Sequence, residues 1–233
     1  MKRSEINNIM KSAVSFFNDC KFYLPEFAFW TLNEWREKGE EIHEILENKL
    51  GWDITDYGRG DFQNFGLIHF TIRNGNIKKI AGGGKPYCEK IMIIEEEQII
   101  PMHHHYQKIE DIINRGGGLL MIQLYNTTKD DTLADSPITF FQDGIENNLK
   151  AGSIVELNPG DSITIKPEHF HKFWAKKGTG KVLIGEVSTV NDDYRDNVFI
   201  EDISRFSEIE EDEEPYYLLY DDYENFLDFE EIE

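Results

Sequence analysis

The sequence predicts a mainly-β protein, a closed sandwich or barrel preceded by helices and followed by an acidic, aromatic-rich segment. Short apolar or alternating runs bounded by turn residues recur from Trp52 to Val187, as expected for many short strands. Helical periodicity is confined to the first fifty residues, and fifteen acidic side chains with a single base, Arg205, fill positions 201–233. The 233 residues are 39% hydrophobic and 13% aromatic, enough to bury a core despite a formal charge of −21.

From Ser4 to Phe17, residues Ile6, Ile9, Met10, Ala13, Val14 and Phe17 recur at spacings of three and four, which predicts an amphipathic helix capped by Ser4. A second helix is predicted over Leu32 to Leu50, after the Leu24-Pro25 break and ending at Gly51, with Trp35, Ile42, Ile45, Leu46 and Lys49 or Leu50 inward. Strands are predicted at Leu67 to Arg73, Ile77 to Ile80, Lys90 to Ile94, Leu119 to Tyr125 and Ile138 to Gln142. Four more follow at Ser153 to Leu157, Ser162 to Lys166, Phe170 to Ala175 and Lys181 to Val187. Asn74-Gly75, Asp143-Gly144 and Pro159-Gly160-Asp161 supply turn chemistry for hairpins or strand ends.

The expected organisation is a helical element (1–51) packed on a barrel (52–200), then an acidic segment (201–233), together one structural domain. Phe206, Tyr216, Tyr217, Tyr220, Tyr223, Phe226 and Phe229 mix with the acids of that segment, so its aromatics are expected to dock on the barrel while its carboxylates face water.

The negative charge repels phosphate backbones and anionic headgroups, which argues against nucleic-acid and membrane-surface partners. Cys20 and Cys88 are too few for a disulfide framework and are expected to be buried thiols. Without a leader-like start or a run of about 18 apolar residues, the expectation is a soluble cytoplasmic protein. The Gly82-Gly83-Gly84 and Gly116-Gly117-Gly118 runs lack the Lys-Ser/Thr signature of a phosphate loop and read as loop backbone.

Five of the seven histidines fall in two places, His103-His104-His105 and His169-Phe170-His171. In an extended segment alternate side chains share a face, so His103 and His105 point together and His104 points away. With Glu110 and one imidazole from His169 or His171, the set suits a borderline divalent ion such as manganese, iron, cobalt, nickel or zinc, and not calcium.

The pattern His103-x-His105-x4-Glu110, then Gly117, with Gly160, Pro167 and His171 further on, resembles the cupin superfamily, whose double-stranded β-helix (jelly-roll) barrel holds a metal with three His and one Glu. A fuller resemblance is to the D-lyxose ketol-isomerase family. It is carried by Phe22-Tyr23-Leu24-Pro25, Leu50-Gly51-Trp52-Asp53-Ile54-Thr55-Asp56, Arg73-Asn74-Gly75, Lys85-Pro86-Tyr87, Pro101-Met102-His103 through Gly118, and Gly185-Glu186-Val187-Ser188 with Asn191-Asp192-Asp193. That resemblance implies a manganese-preferring isomerase interconverting D-lyxose with D-xylulose, and often D-mannose with D-fructose. It implies His103, His105, Glu110 and His171 as ligands, and with the symmetry prior for soluble proteins it implies a homodimer.

Moving a hydrogen between C1 and C2 needs an electrophile at the sugar oxygens and a base. Glu186 is a charge inside an otherwise apolar strand, which makes it the leading general base, with an ion pair as its ordinary role. Lys108 shares the alternation of Glu110 and is expected to donate to a substrate oxygen or the enediolate. Asp193 is a candidate for orienting substrate or for shaping a turn. Lys90 is a candidate hydroxyl donor and Trp174 a candidate stacking wall, with strand surface and core as their ordinary roles. Other chemistries that suit such a site are phosphosugar isomerisation and dioxygenation, and a non-catalytic sugar-binding cupin is the non-enzymatic alternative.

Overall fold

A computed structural model describes residues 1–227 and shows the mainly-β class expected, with its strands paired antiparallel. Helix α1 (Arg3–Asp19) buries Ile6, Met10, Ala13 and Phe17 along one stripe. Ser4 is not its cap. Lys2 occupies the cap position without a side-chain bond, and the Ser4 N–H and hydroxyl both donate to the Asp212 carboxylate at 2.8 Å. The acidic segment thus places a carboxylate at the positive end of the helix.

The long second helix is broken into pieces. Helix α2 (Leu32–Arg36) opens on a Thr31/Glu34 capping box; a 3-10 turn (Glu40–Ile42) and helix α3 (His43–Glu47) follow. Gly39 separates them in a non-helical conformation (φ −110°, ψ −143°), which its missing Cβ permits. Trp35 and Ile42 are buried as expected, but against Leu218, Tyr220, Tyr223 and Leu227 of the acidic segment. The aromatics of that segment therefore dock largely on the helical element and not only on the barrel; Phe229 lies outside the described residues.

Among the described residues fourteen strands form two curled sheets. One runs β1 (Gly51–Thr55), β2 (Leu67–Arg73), β3 (Tyr87–Ile94), β13 (Val182–Thr189), β5 (Glu110–Gly117), β11 (Ser162–Ile165), β8 (Ile138–Gln142) and β9 (Ile145–Leu149). The other runs β10 (Ile154–Leu157), β6 (Leu120–Thr127), β12 (His169–Ala175), β4 (Ile99–His104) and β14 (Val198–Phe199), with β7 (Leu133–Ala134) on β6. Their facing sides enclose a core that includes Ile94, Ile100, Ile112, Ile122 and Ile184. The stripe of α1 packs outside, on Trp52, Phe70, Ile91, Ile93 and Leu183.

Asp143-Gly144 is the expected two-residue hairpin, with φ of 50° and 80° and Gln142 opposite Ile145. Asn74-Gly75 is not a hairpin, and Ile77–Ile80 is not a strand but part of a 3-10 turn (Ile77–Gly82). The Asn74 amide donates to the carbonyls of Asn48 and Asn191 and its oxygen accepts from the Asn191 N–H. It joins three chain segments where a hairpin would leave it in solvent, and a Cβ on Gly75 would overlap the Lys85 carbonyl oxygen. Cys88 is buried, whereas Cys20 is half-exposed. No helix among the described residues is long and apolar enough to cross a membrane.

The first and last parts of the chain are tied by charge. The fully buried Arg3 guanidinium donates to both carboxylate oxygens of Asp222 at 2.8 and 2.9 Å and to Glu211 at 2.6 and 2.8 Å. Replacing Arg3 with Ala leaves the buried Asp222 carboxylate without its cation, and is expected to cost about 3–5 kcal/mol in a denaturant-unfolding experiment. Adding Asp222→Leu to that variant is expected to return part of the loss.

Candidate active site

The site lies between the sheets, where β4 and β12 run side by side with His171 opposite His103. Alternation places His103 and His105 inward. His104 turns to the other face, 3.4 Å from Asp131 and packed on Phe170. His171, not His169, joins the inner pair, and ligand nitrogens of His103, His105 and His171 all lie within 4.8 Å of one another. His169 begins the strand half-buried and outside that group.

The three rings are held by the same device. Each Nδ1 faces a backbone carbonyl, of Pro101 at 2.8 Å, Asp196 at 3.0 Å and His169 at 3.0 Å respectively. With Nδ1–H donating there, each Nε2 offers a lone pair. Glu110, the first residue of β5, brings Oε1 to 3.1 Å from His171 Nε2 and 3.5 Å from His105 Nε2. None of these three buried atoms has a hydrogen-bond partner.

Burial and neighbouring imidazoles keep His103 neutral, and burial with Lys108 lowers the His105 pKa. Burial opposes ionisation of Glu110, but Lys108 and His105 outweigh it and hold the carboxyl well below its ordinary range. Electron pairs that converge without a proton between them could hold a cation. The donor set of three imidazoles and a carboxylate fits a borderline divalent ion.

Lys108 sits beside this group. Its Nζ is 2.7 Å from Glu110 Oε2 and 3.1 Å from Glu186 Oε1. Burial disfavours the ammonium, yet the two carboxylates raise its pKa above the lysine norm. Glu186 projects inward from β13, opposite Lys90 on β3, and Ser188 Oγ also donates to its Oε1 at 3.1 Å. Lys90 is buried and paired with Asp193 Oδ2 at 3.1 Å. Asp193 is more than a turn residue, because the Tyr220 hydroxyl donates to Oδ2 at 3.3 Å and Arg205 lies 3.6 Å from Oδ1.

Lys90, Lys108, Glu110, Glu186, Asp193 and Arg205 border an inner cavity of ≈40 Å³, small beside the ~300–1,000 Å³ of usual ligand pockets. Asp193 also lines an outer groove of ≈630 Å³ and so stands between the two. Trp174 does not line the cavity. His171 and Phe173 face inward, so Trp174 emerges on the other face of β12 with Lys172, whose ammonium lies 5.3 Å from its ring centroid.

Sequence reasoning missed His69, Arg205 and, behind them, Asp53. Arg205 lies 2.8 Å from Asp53, and His69 Nδ1 lies 3.5 Å from it. The signal that marked Glu186 was present for two of them, since Asp53 and His69 interrupt the apolar runs of β1 and β2. Arg205 is the one base of an acidic segment.

The family model described as D-lyxose isomerase matches residues 1–223. The chain belongs to the D-lyxose isomerase family. A D-lyxose/D-mannose isomerase from Serratia proteamaculans is 45% identical over 97% of this chain and all of its own length. One from Escherichia coli O157:H7 is 44% identical with the same coverage of both. Membership and these relatives make the protein a sugar isomerase. Among solved structures, an L-ribose isomerase from Acinetobacter sp. DL28 in complex with L-ribose matches with a TM-score of 0.60 at 17% identity, over 90% of this chain and 98% of that one. The Cellulomonas parahominis L-ribose isomerase with L-ribose gives 0.58 at 17% identity, with the same coverage. These two likenesses speak for the fold.

The choice between the two histidines of β12 is open to direct measurement. His171→Ala is expected to weaken divalent-metal binding by at least roughly 100-fold in calorimetric titration. His169→Ala is expected to bind as the parent does; equal loss in both variants would contradict the assignment.

Proposed function

We propose that this isomerase interconverts D-lyxose with D-xylulose, and D-mannose with D-fructose, by proton transfer through an enediolate, with a divalent ion held by His103, His105, Glu110 and His171. The observation that carries the reading is the Glu186 carboxylate, buried and held by Lys108 and Ser188 beside the histidine group. The names of the relatives supply the sugars, and manganese is the ion that the family resemblance implies.

When bound, the ion supplies Lewis acidity to the oxygens at C1 and C2. Glu186 is the proton carrier: both of its donors reach Oε1, which leaves Oε2 to take the proton from C2 and return it to C1, while the hydroxyl proton passes from O2 to the neighbouring O1. Lys108, paired with two carboxylates, places a positive charge where the oxyanion develops. Its second carboxylate, Glu110, fixes the ammonium at 2.7 Å, so the charge is set before substrate arrives. Lys90 and Asp193 orient hydroxyls at the boundary between cavity and groove. We read the working unit as a soluble cytoplasmic homodimer, in line with the symmetry of most soluble oligomers.

Protein stripped of metal by chelation is expected to leave D-lyxose unchanged, and manganese is expected to restore D-xylulose production, both followed by chromatography. D-Mannose should give D-fructose under the same conditions. Full turnover of the stripped protein, or none with either aldose after manganese, would overturn the reading.

A further inference from the structure

The cavity wall on β2 carries a group that the mechanism leaves unused. The His69 ring is fully buried and lines the cavity, yet neither of its nitrogens has a hydrogen-bond partner. Buried polar groups left unpaired are costly and rare, so an unpaired ring aimed at a cavity points to a ligand. Beside it Arg205 lines the same cavity with Nη1 buried and unpartnered.

Asp53 stands behind both. It pairs with His69 across the β1–β2 ladder, is not part of the cavity wall, and directs Oδ2 to Arg205 Nη2 at 2.8 Å and to His69 Nδ1 at 3.5 Å. A carboxylate at that side favours the Nδ1–H tautomer, which leaves Nε2 as an acceptor. Burial and the cations Lys90 and Arg205 push the His69 pKa well down, so the ring is a neutral acceptor. Arg205 offers only donors. An acceptor next to a donor is the complement of one hydroxyl group.

Strand order sets this wall apart from Glu110. β2 is separated from β5, which bears Glu110, by β3 and β13, and the histidine group lies on the facing sheet. If C1 and C2 lie by that group, the β2 wall meets the other end of the chain. We propose that His69 accepts, and Arg205 donates, a hydrogen bond at a hydroxyl of the non-reacting end of the open-chain sugar, with Asp53 as the positioning residue that sets the His69 tautomer. This rests on the isomerase reading above and adds a determinant of which aldoses fit. A site built to pair a hydroxyl discriminates strongly against a sugar lacking it.

The test is calorimetric binding to the manganese-loaded protein of the pentitol made by reducing D-lyxose, and of its monodeoxy analogues. These have no carbonyl, so turnover plays no part. His69→Phe is expected to weaken the parent pentitol roughly tenfold or more, and to leave the binding of one distal monodeoxy analogue unchanged. His69→Gln, which restores an acceptor, should recover most of the loss, and Asp53→Asn should repeat the analogue pattern at smaller amplitude. Uniform weakening of every polyol, no weakening, or no pentitol binding by the parent protein would overturn the proposal. A protein that shows the analogue pattern but isomerises no aldose would keep the His69 contact and sink the isomerase reading; the reverse result would do the opposite.

Discussion

A single ammonium group holds two buried carboxylates together at the centre of the barrel. Lys108 lies 2.7 Å from Glu110 and 3.1 Å from Glu186, and all three are almost wholly removed from water. Two carboxylates at that depth would repel each other and resist ionisation without a shared cation. The ammonium keeps Glu110 ionised beside the histidines and keeps Glu186 in one orientation. The wider balance leans the same way: Lys108, Lys90 and Arg205 face Glu110, Glu186, Asp193 and Asp53, three cations against four carboxylates. Burial, with Asp193 nearby, pushes the Asp53 pKa up to about 6 even against Arg205. An interior one negative charge in excess is suited to a divalent ion.

The acidic segment is part of this arrangement, not a solvated tail. The Met1 ammonium donates to the Glu208 carbonyl at 2.7 Å, Asp212 meets the start of α1, and Arg3 grips Glu211 and Asp222. Between these anchors the segment delivers Arg205 to the polar wall of the cavity, and Tyr220 to the outer groove, where its hydroxyl meets Asp193. Its acids therefore serve opposite ends: those near α1 fasten the chain, and the fastening carries the one base of the segment into the interior.

Much of this was legible in the sequence because alternation is a local property. His103 and His105 facing one way and His104 the other, the Lys108–Glu110 meeting and the inward Glu186 all follow from a period of two. Trp174 was misplaced although the same rule applied, since it differs in parity from His171. Spacing does not choose His171 over His169, because both share one parity and only the pairing of β12 with β4 separates them; the family resemblance is what implies His171. Asn74-Gly75 carried a strong hairpin signal, overridden by long-range bonds to Asn48 and Asn191 that no local pattern reports. Strand β5 was hidden because its inward side alternates Glu110, Ile112 and Asn114, so polar residues interrupt its apolar pattern. The Asp53–Arg205 contact joins positions 152 apart and has no local signature.

The most direct test of the central claim, that Glu186 held by Lys108 carries the proton, is proton NMR of D-lyxose with the manganese-loaded protein in heavy water. The account predicts solvent deuterium at C1 of the D-xylulose formed, and for Glu186→Gln a loss of both ketose and label of roughly 100-fold or more with metal still bound. Parent-like turnover by Glu186→Gln would contradict it, as would ketose that forms without label in the parent protein.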